Sequence, residues 1–138
     1  MTNNQIILKL VSKSDYRFLY DLLKERDARV NISHKKMPTY NEHLKFIKSK
    51  PYTKWYIVKW GTQKIASIYL TSQNEIGIFI QKTHQNKNLG GTIMSELIQK
   101  NPRDRYLANV SPKNKTSEKF FKSHGFKFIQ KTYELTQN

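Results

Sequence analysis

The sequence predicts a mixed α/β fold, one domain with a central sheet of six to seven strands flanked by about four helices. Three observations predict it. Strand-length apolar runs and segments of helical period alternate along the 138 residues without a linker, repeat or low-complexity tract. Three consecutive β-rich runs are joined by short turn-like stretches, Gly61-Thr62-Gln63 and Ser72-Gln73-Asn74. The last of these runs passes through a glycine-bearing loop straight into a helical segment.

The elements follow in order. Gln5 to Val11 alternates enough to be a strand. Ser12 or Ser14 can cap a helix reaching about Arg26, with Asp15 in its first turn and Phe18, Leu19, Leu22 and Leu23 as its apolar stripe. Arg29 to Pro38 is polar and irregular. Thr39-Tyr40-Asn41-Glu42 has the form of a capping box, in which the first and fourth side chains satisfy each other's backbone N–H groups. The helix it opens should bury Leu44, Phe46 and Ile47 and close at Pro51. Lys54–Trp60, Lys64–Thr71 and Glu75–Gln81 are the three β-rich runs, and Thr92–Lys100 is the helix after the loop, stopped by Pro102. Arg105–Val110 reads as a strand and Asn114–Ser123 as a helix with Phe120 and Phe121 inward, ended by Gly125. Phe126–Leu135 supplies one or two last strands. The order is β-α-α-β-β-β-α-β-α-β.

Composition narrows the function classes. No apolar run approaches the ~20 residues that span a bilayer, and Met1-Thr2-Asn3-Asn4-Gln5 lacks the charged-then-apolar pattern of a secretion signal. There is no cysteine, which excludes thiol chemistry and fits a reducing cytoplasm. The formal net charge is +15, and 20 of the 25 basic residues are lysine. An anionic partner would account for that balance, as would the codon bias of an AT-rich genome. The charge is spread along the chain, so a nucleic-acid stripe is not expected.

The loop Gln85-Asn86-Lys87-Asn88-Leu89-Gly90-Gly91-Thr92 carries the most specific chemistry. A loop that opens a helix presents unpaired backbone N–H groups and the positive end of the helix dipole, and Lys87 adds a charge. It is expected to hold a phosphate or diphosphate.

Three segments resemble the GCN5-related N-acetyltransferase (GNAT) superfamily. The loop from Gln85 to Gly90 is similar to its Gln/Arg-x-x-Gly-x-Gly/Ala signature. Glu75-Ile76-Gly77-Ile78-Phe79-Ile80 stands where that family has its fourth strand. Asn114-Lys115-Thr116-Ser117 through His124-Gly125-Phe126 is similar to its Asn-x-x-(Ala/Ser)-x-x-x-Tyr-x-x-x-Gly-Phe ending. The resemblance implies acetyl-CoA as co-substrate and no metal. It places the pyrophosphate on Gln85, Asn86, Lys87, Asn88, Leu89, Gly90, Gly91 and Thr92. Ile78, Phe79 and Ile80 would lie along the pantetheine arm, with Gly77 permitting a bulge and Asn114 contacting the cofactor or fixing the local loop. Two positions depart from the family pattern: Asn88 replaces a glycine, and Phe121 replaces the tyrosine that protonates the departing thiolate. Asn tolerates left-handed backbone; Phe donates no proton.

The same resemblance implies direct attack of a primary amine on the thioester. Glu75 is the candidate base and a backbone N–H near Phe79 or Ile80 the oxyanion donor. Arg29 and His34 are candidate acceptor contacts. A nucleotide-linked amino sugar is the narrower expectation for the acceptor. The alternatives are a protein or peptide N-acetyltransferase and an inactive GNAT-fold module that binds CoA. Tyr106 and Ser111 are expected to be structural rather than catalytic, and His43, His84 and His124 to have packing or flanking roles. Trp55, Tyr56 and Trp60 are expected to pack. No His/Asp/Glu set has metal-ligand spacing. Either a monomer or a homodimer is compatible with the sequence.

Overall fold

In the computed structural model, residues 5–26, 37–85 and 87–137 are described. The elements are β1 Ile6–Leu10, α1 Tyr16–Lys24, α2 Tyr40–Lys48, β2 Lys54–Trp60, β3 Gln63–Leu70, β4 Ile76–Ile80, α3 Gly90–Lys100 and α4 Lys115–Ser123, with short 3-10 turns at Lys13–Asp15 and Lys82–His84. The sheet runs β1-β2-β3-β4, and every pairing between these strands is antiparallel.

Alternation divides the strands between two faces. Ile6, Leu8, Tyr56, Val58, Ala66, Ile68, Leu70 and Ile76 form the larger core with Ile93, Met94 and Leu97 of α3 and Phe121 of α4. On the opposite face Ile57 packs with Leu19 of α1 and Ile47 of α2. Trp55, Ser67, Tyr69, Gly77 and Phe79 share that second face, because the register pairs Trp55 with Tyr69, Tyr69 with Gly77 and Ser67 with Phe79.

The caps explain where the helices begin. Thr39 and Glu42 form the expected capping box, with the Glu42 N–H donating to Thr39 Oγ1 at 3.1 Å and the Thr39 N–H to Glu42 Oε1 at 2.7 Å. Asn114 caps α4 by accepting from the Ser117 N–H at 3.1 Å. Before α1, Asp15 is completely buried and held by Lys9 at 2.8 Å, Lys64 at 2.7 Å and the Ser12 N–H at 2.9 Å.

Among the described residues the sheet has four strands, not six to seven. Residues 105–110 touch it through one parallel bridge, Glu75 to Leu107, where the Ile76 N–H donates to the Leu107 carbonyl and the Leu107 N–H to the Asn74 carbonyl, both at 2.8 Å. Beyond that point no ladder forms. One anchor of this segment lies at the end of α3: the Tyr106 hydroxyl donates to the Asn101 carbonyl at 2.7 Å and accepts from the Arg103 N–H at 2.8 Å. Residues 126–135 make no ladder either. Gly125, with φ 94°, turns the chain out of α4, and Phe128, Ile129, Tyr133 and Leu135 are exposed. A strand-like composition needs a neighbour's backbone to become a strand. No helix among the described residues is long and apolar enough to cross a membrane.

Candidate active site

Two features meet at β4: an anion-ready helix start on one side and an aromatic cavity on the other. The helix start is α3. Its N-cap residue is Leu89, which offers no side-chain acceptor, and the Ile93 N–H donates to the Leu89 carbonyl at 3.0 Å. The helices α2 and α4 spend a Thr and an Asn on their first turns; α3 has no side-chain cap from its N-cap residue, and among the described residues its leading N–H donors, at Gly90, Gly91 and Thr92, are open to an anion. Asn88 has φ 58°, the left-handed conformation that a glycine would adopt without cost. The turn therefore survives the replacement. Gln85 ties the loop to β4, its Nε2 donating to the Ile80 carbonyl at 2.9 Å. Asn86 lies outside the described residues.

The two loop glycines have a further reason to be glycine. A Cβ on Gly90 would lie 2.8 Å from Phe120 Cε1, and one on Gly91 would lie 2.7 Å from His124 Nε2. The side chains of α4 thus press directly on the first turn of α3. His124 is fixed there by its Nδ1, 2.8 Å from the Phe120 carbonyl. Phe121 is buried against the main core and stacks edge-on with Phe126.

The edge of β4 is the second component. The Ile76 N–H points away from β3, to Leu107, whereas the Gln81 N–H points back to the Ile65 carbonyl at 2.8 Å. Strand alternation then turns the N–H groups of Ile78 and Ile80 to the open edge and that of Phe79 into the β3 ladder. Because residues 105–110 leave the sheet after Leu107, this edge has no strand beside it among the described residues. Glu75 stands at the base of the gap. Its carboxylate accepts from Thr71 Oγ1 at 3.0 Å and from Asn109 Nδ2 at 2.7 Å. At about 3.3 Å per residue it is roughly 10 Å along the strand from Ile78 and roughly 16 Å from Ile80.

Gly77 does not form a bulge. The β3–β4 register is continuous, and the irregularity in the sheet falls instead between Val58 and Lys59. The residue is small because the Tyr69 ring lies over it: an added Cβ would sit 2.1 Å from Tyr69 Cζ. That ring stacks on Tyr52 with centroids 3.7 Å apart. Together they wall a cavity of about 50 Å³, lined also by Leu19, Leu22, Leu23 and Arg26 of α1, His43 and Phe46 of α2, and Trp55, Ser67 and Phe79 of the sheet. The Arg26 guanidinium lies 4.1 Å from the centre of the Phe79 ring. It reaches there because the Lys82 N–H donates to Glu25 Oε1 at 2.9 Å, fastening the end of α1 to the end of β4. Burial pulls the pKa of Arg26 below its usual value, against Tyr69 and Tyr52, which oppose that shift. Burial also pushes both tyrosine hydroxyls upward, so they remain proton donors at neutral pH.

The expected acceptor contacts Arg29 and His34 lie outside the described residues. Tyr106 is engaged at the end of α3, and Ser111 accepts from the Lys113 N–H at 3.3 Å in a turn. His84 packs edge-on against Trp60, and Trp55 and Tyr56 point to opposite faces of the sheet. The cavity residues Arg26, Tyr52, Ser67 and Tyr69 were not expected from sequence. Two signals could have found them. Arg26 continues the α1 stripe of Leu19, Leu22 and Leu23 at helical spacing, and alternation puts Trp55, Ser67, Tyr69 and Phe79 on one face of the sheet. Among the described residues no group of three or more His, Asp or Glu side chains is arranged to hold a metal.

Comparison with known proteins fits this arrangement. A domain from Methanocaldococcus jannaschii superposes with a TM-score of 0.77 at 21% identity, covering 94% of this chain and 93% of that one. An acetyltransferase from Thermus thermophilus gives 0.73 at 17%, covering 94% and 92%. The spermidine N-acetyltransferase of Vibrio cholerae gives 0.71 at 18%, covering 93% and 83%. At these identities the likeness establishes the fold. A comparison with curated proteins returns no match. Residues 25–136 match the family model of the acetyltransferase (GNAT) domain, most of the chain, and the chain belongs to that acetyltransferase family.

Proposed function

We propose that this GNAT domain transfers an acetyl group from acetyl-CoA to a primary amine of a small molecule, by direct attack with both substrates bound. The observation that carries the reading is the pairing of an uncapped α3 N-terminus with an open β4 edge beside it. The residues present fit the co-substrate. The leading N–H groups of α3 and Lys87 suit a pyrophosphate, and the Ile78 and Ile80 edge suits an amide-bearing arm. Acetyl-CoA, when bound, supplies a thioester carbonyl open to a neutral amine.

The chain's own part is positioning and electrostatics. The Ile78 or Ile80 N–H is aimed at the edge where negative charge develops on the carbonyl oxygen, and such a donor contributes about 3 kcal/mol to the barrier in other acyl transfers. Phe79 does not serve this purpose, since its N–H faces β3. Glu75 takes the amine proton through water, because the strand separates it from the Ile78 N–H by roughly 10 Å, beyond direct reach. Phe121 supplies no proton, so the thiolate is protonated by solvent, and general acid help worth about 10²–10⁴-fold is forgone.

The spermidine enzyme among the structural neighbours supports a small-molecule amine as acceptor. The narrower reading, a nucleotide-linked amino sugar, draws on residues 29–33, 42–47 and 75–80, of which the first group lies outside the described residues. The burial of Phe121 where a proton donor would serve favours a second reading, a binding module without turnover. Thiol release from acetyl-CoA, followed with a panel of amino acids, polyamines, nucleotide-linked amino sugars and peptides, separates these readings. Acceptor-dependent release is expected with a small amine. Binding of CoA without release for any amine would favour the module, and no binding at all would sink both.

A further inference from the structure

The cavity on the α1–α2 face holds an unusual set of groups. Arg26 is half-buried, and among the described residues no carboxylate lines the cavity beside it. The indole Nε1 of Trp55, another lining residue, is buried with no hydrogen-bond partner among the described residues. The Ser67 side chain, the His43 ring and the hydroxyls of Tyr52 and Tyr69, which bond each other, complete a polar wall that among the described residues holds no anionic acceptor. A buried donor left unpaired is costly, and a half-buried guanidinium without a counter-charge adds to that cost.

Among the described lining residues a cation would find no counter-charge. The Phe79 face is already covered by Arg26 at 4.1 Å, and the Tyr52 and Tyr69 faces cover each other at 3.7 Å. What the cavity lacks is an acceptor of hydrogen bonds that carries negative charge. Its volume, about 50 Å³, suits one functional group, not a nucleotide. Phe79 lies between Ile78 and Ile80, so a group held here sits one residue from the edge at which the amine would react.

We infer that the cavity receives a carboxylate or a phosphate-type oxyanion borne by the acceptor, so that the acceptor is an amino-acid-like molecule carrying both amine and anion, not a polyamine. This rests on the acetyltransferase reading above, and its test has a readout independent of turnover. The chain has two tryptophans, Trp55 and Trp60, so ¹⁵N-labelled protein loaded with CoA gives two indole N–H signals, assigned with Trp60→Phe. The probes are the common L-amino acids, their amides, which lack the carboxylate, 2-aminoethylphosphonate and spermidine.

The Trp55 signal is expected to shift saturably with at least one amino acid or with the phosphonate, at a Kd about tenfold or more below that of the matched amide or spermidine. The preferred head group distinguishes carboxylate from phosphonate. Arg26→Leu should abolish the shift and Arg26→Lys retain part of it, with the Trp60 signal unmoved as a check on folding. No shift with any anionic amine, an equal shift with amides or spermidine, or a shift that survives Arg26→Leu would overturn the inference. Thiol release with the same panel reports on transfer separately. A saturable Trp55 shift without release would keep the anion site and sink the transferase reading. Release with spermidine alone would do the reverse.

Discussion

Replacing Gly77 with alanine puts a methyl group where the structure has a ring. The added Cβ would fall 2.1 Å from Tyr69 Cζ, 2.3 Å from Cε2 and 2.4 Å from the hydroxyl oxygen. The ring must retreat by more than about 1 Å to regain ordinary contact at 3.4–4 Å. It cannot do so alone, because Tyr52 lies flat against it at 3.7 Å and Phe79 tilts toward it at 6.1 Å. Overpacking of this kind costs about 1–3 kcal/mol. Urea denaturation of Gly77→Ala should show that loss. In a Tyr69→Ala background the same change should cost less than about 0.5 kcal/mol, because the obstructing ring is gone. Acetyl-CoA affinity should be nearly unchanged, since the ring lies on the face opposite α3. Equal cost in both backgrounds would refute the assignment of Gly77 to the ring.

Other outcomes are expected. Burial alone would raise the pKa of Asp15, but Lys64, Lys9 and Ser12 outweigh it and hold the carboxyl at about 2, against an ordinary 3.8. It therefore contributes about 2 kcal/mol above pH 3.8, lost as pH falls toward 2, and Asp15→Asn should lose that amount at pH 7 and flatten the acid limb of the stability curve. Asn88→Val forces a β-branched residue into φ 58° and should cost more than about 1 kcal/mol by thermal denaturation, whereas Asn88→Gly should be neutral within about 0.5 kcal/mol. Ile129→Ser and Tyr133→Ser, at side chains 60% and 85% exposed, should each change stability by less than about 0.5 kcal/mol. A larger loss would mean that the C-terminal arm is covered in solution.

Local rules carried much of this fold. The Thr39–Glu42 box, the β2–β3–β4 meander and the Gly125 stop depend on neighbours in sequence, and each stands within a residue or two of where the sequence puts it. What was not legible depends on contacts across the chain. Residues 105–110 have strand composition but diverge after Leu107, and 126–135 find no edge to join. At the site, a helix start after the loop was legible, although the helix was expected from Thr92 and begins at Gly90. The cavity was not, because Arg26, Tyr52 and Tyr69 meet only when α1 is fastened to β4 through Glu25 and Lys82. Gly77 was read as a bulge because sequence does not reveal which cross-strand ring covers it.

The most direct test of the acetyl-CoA site is a calorimetric titration of CoA into the wild-type protein and into Asn88→Asp. Aspartate tolerates the same left-handed backbone and is nearly the same size, so the fold should be unchanged, but it sets a negative charge beside the uncapped N–H groups of α3. The wild type is expected to bind one CoA per chain, and the variant to bind about tenfold or more weakly at an unchanged Tm, a difference of about 1.4 kcal/mol. Wild-type protein that binds no CoA, or a variant that binds as well as the wild type, would contradict the site.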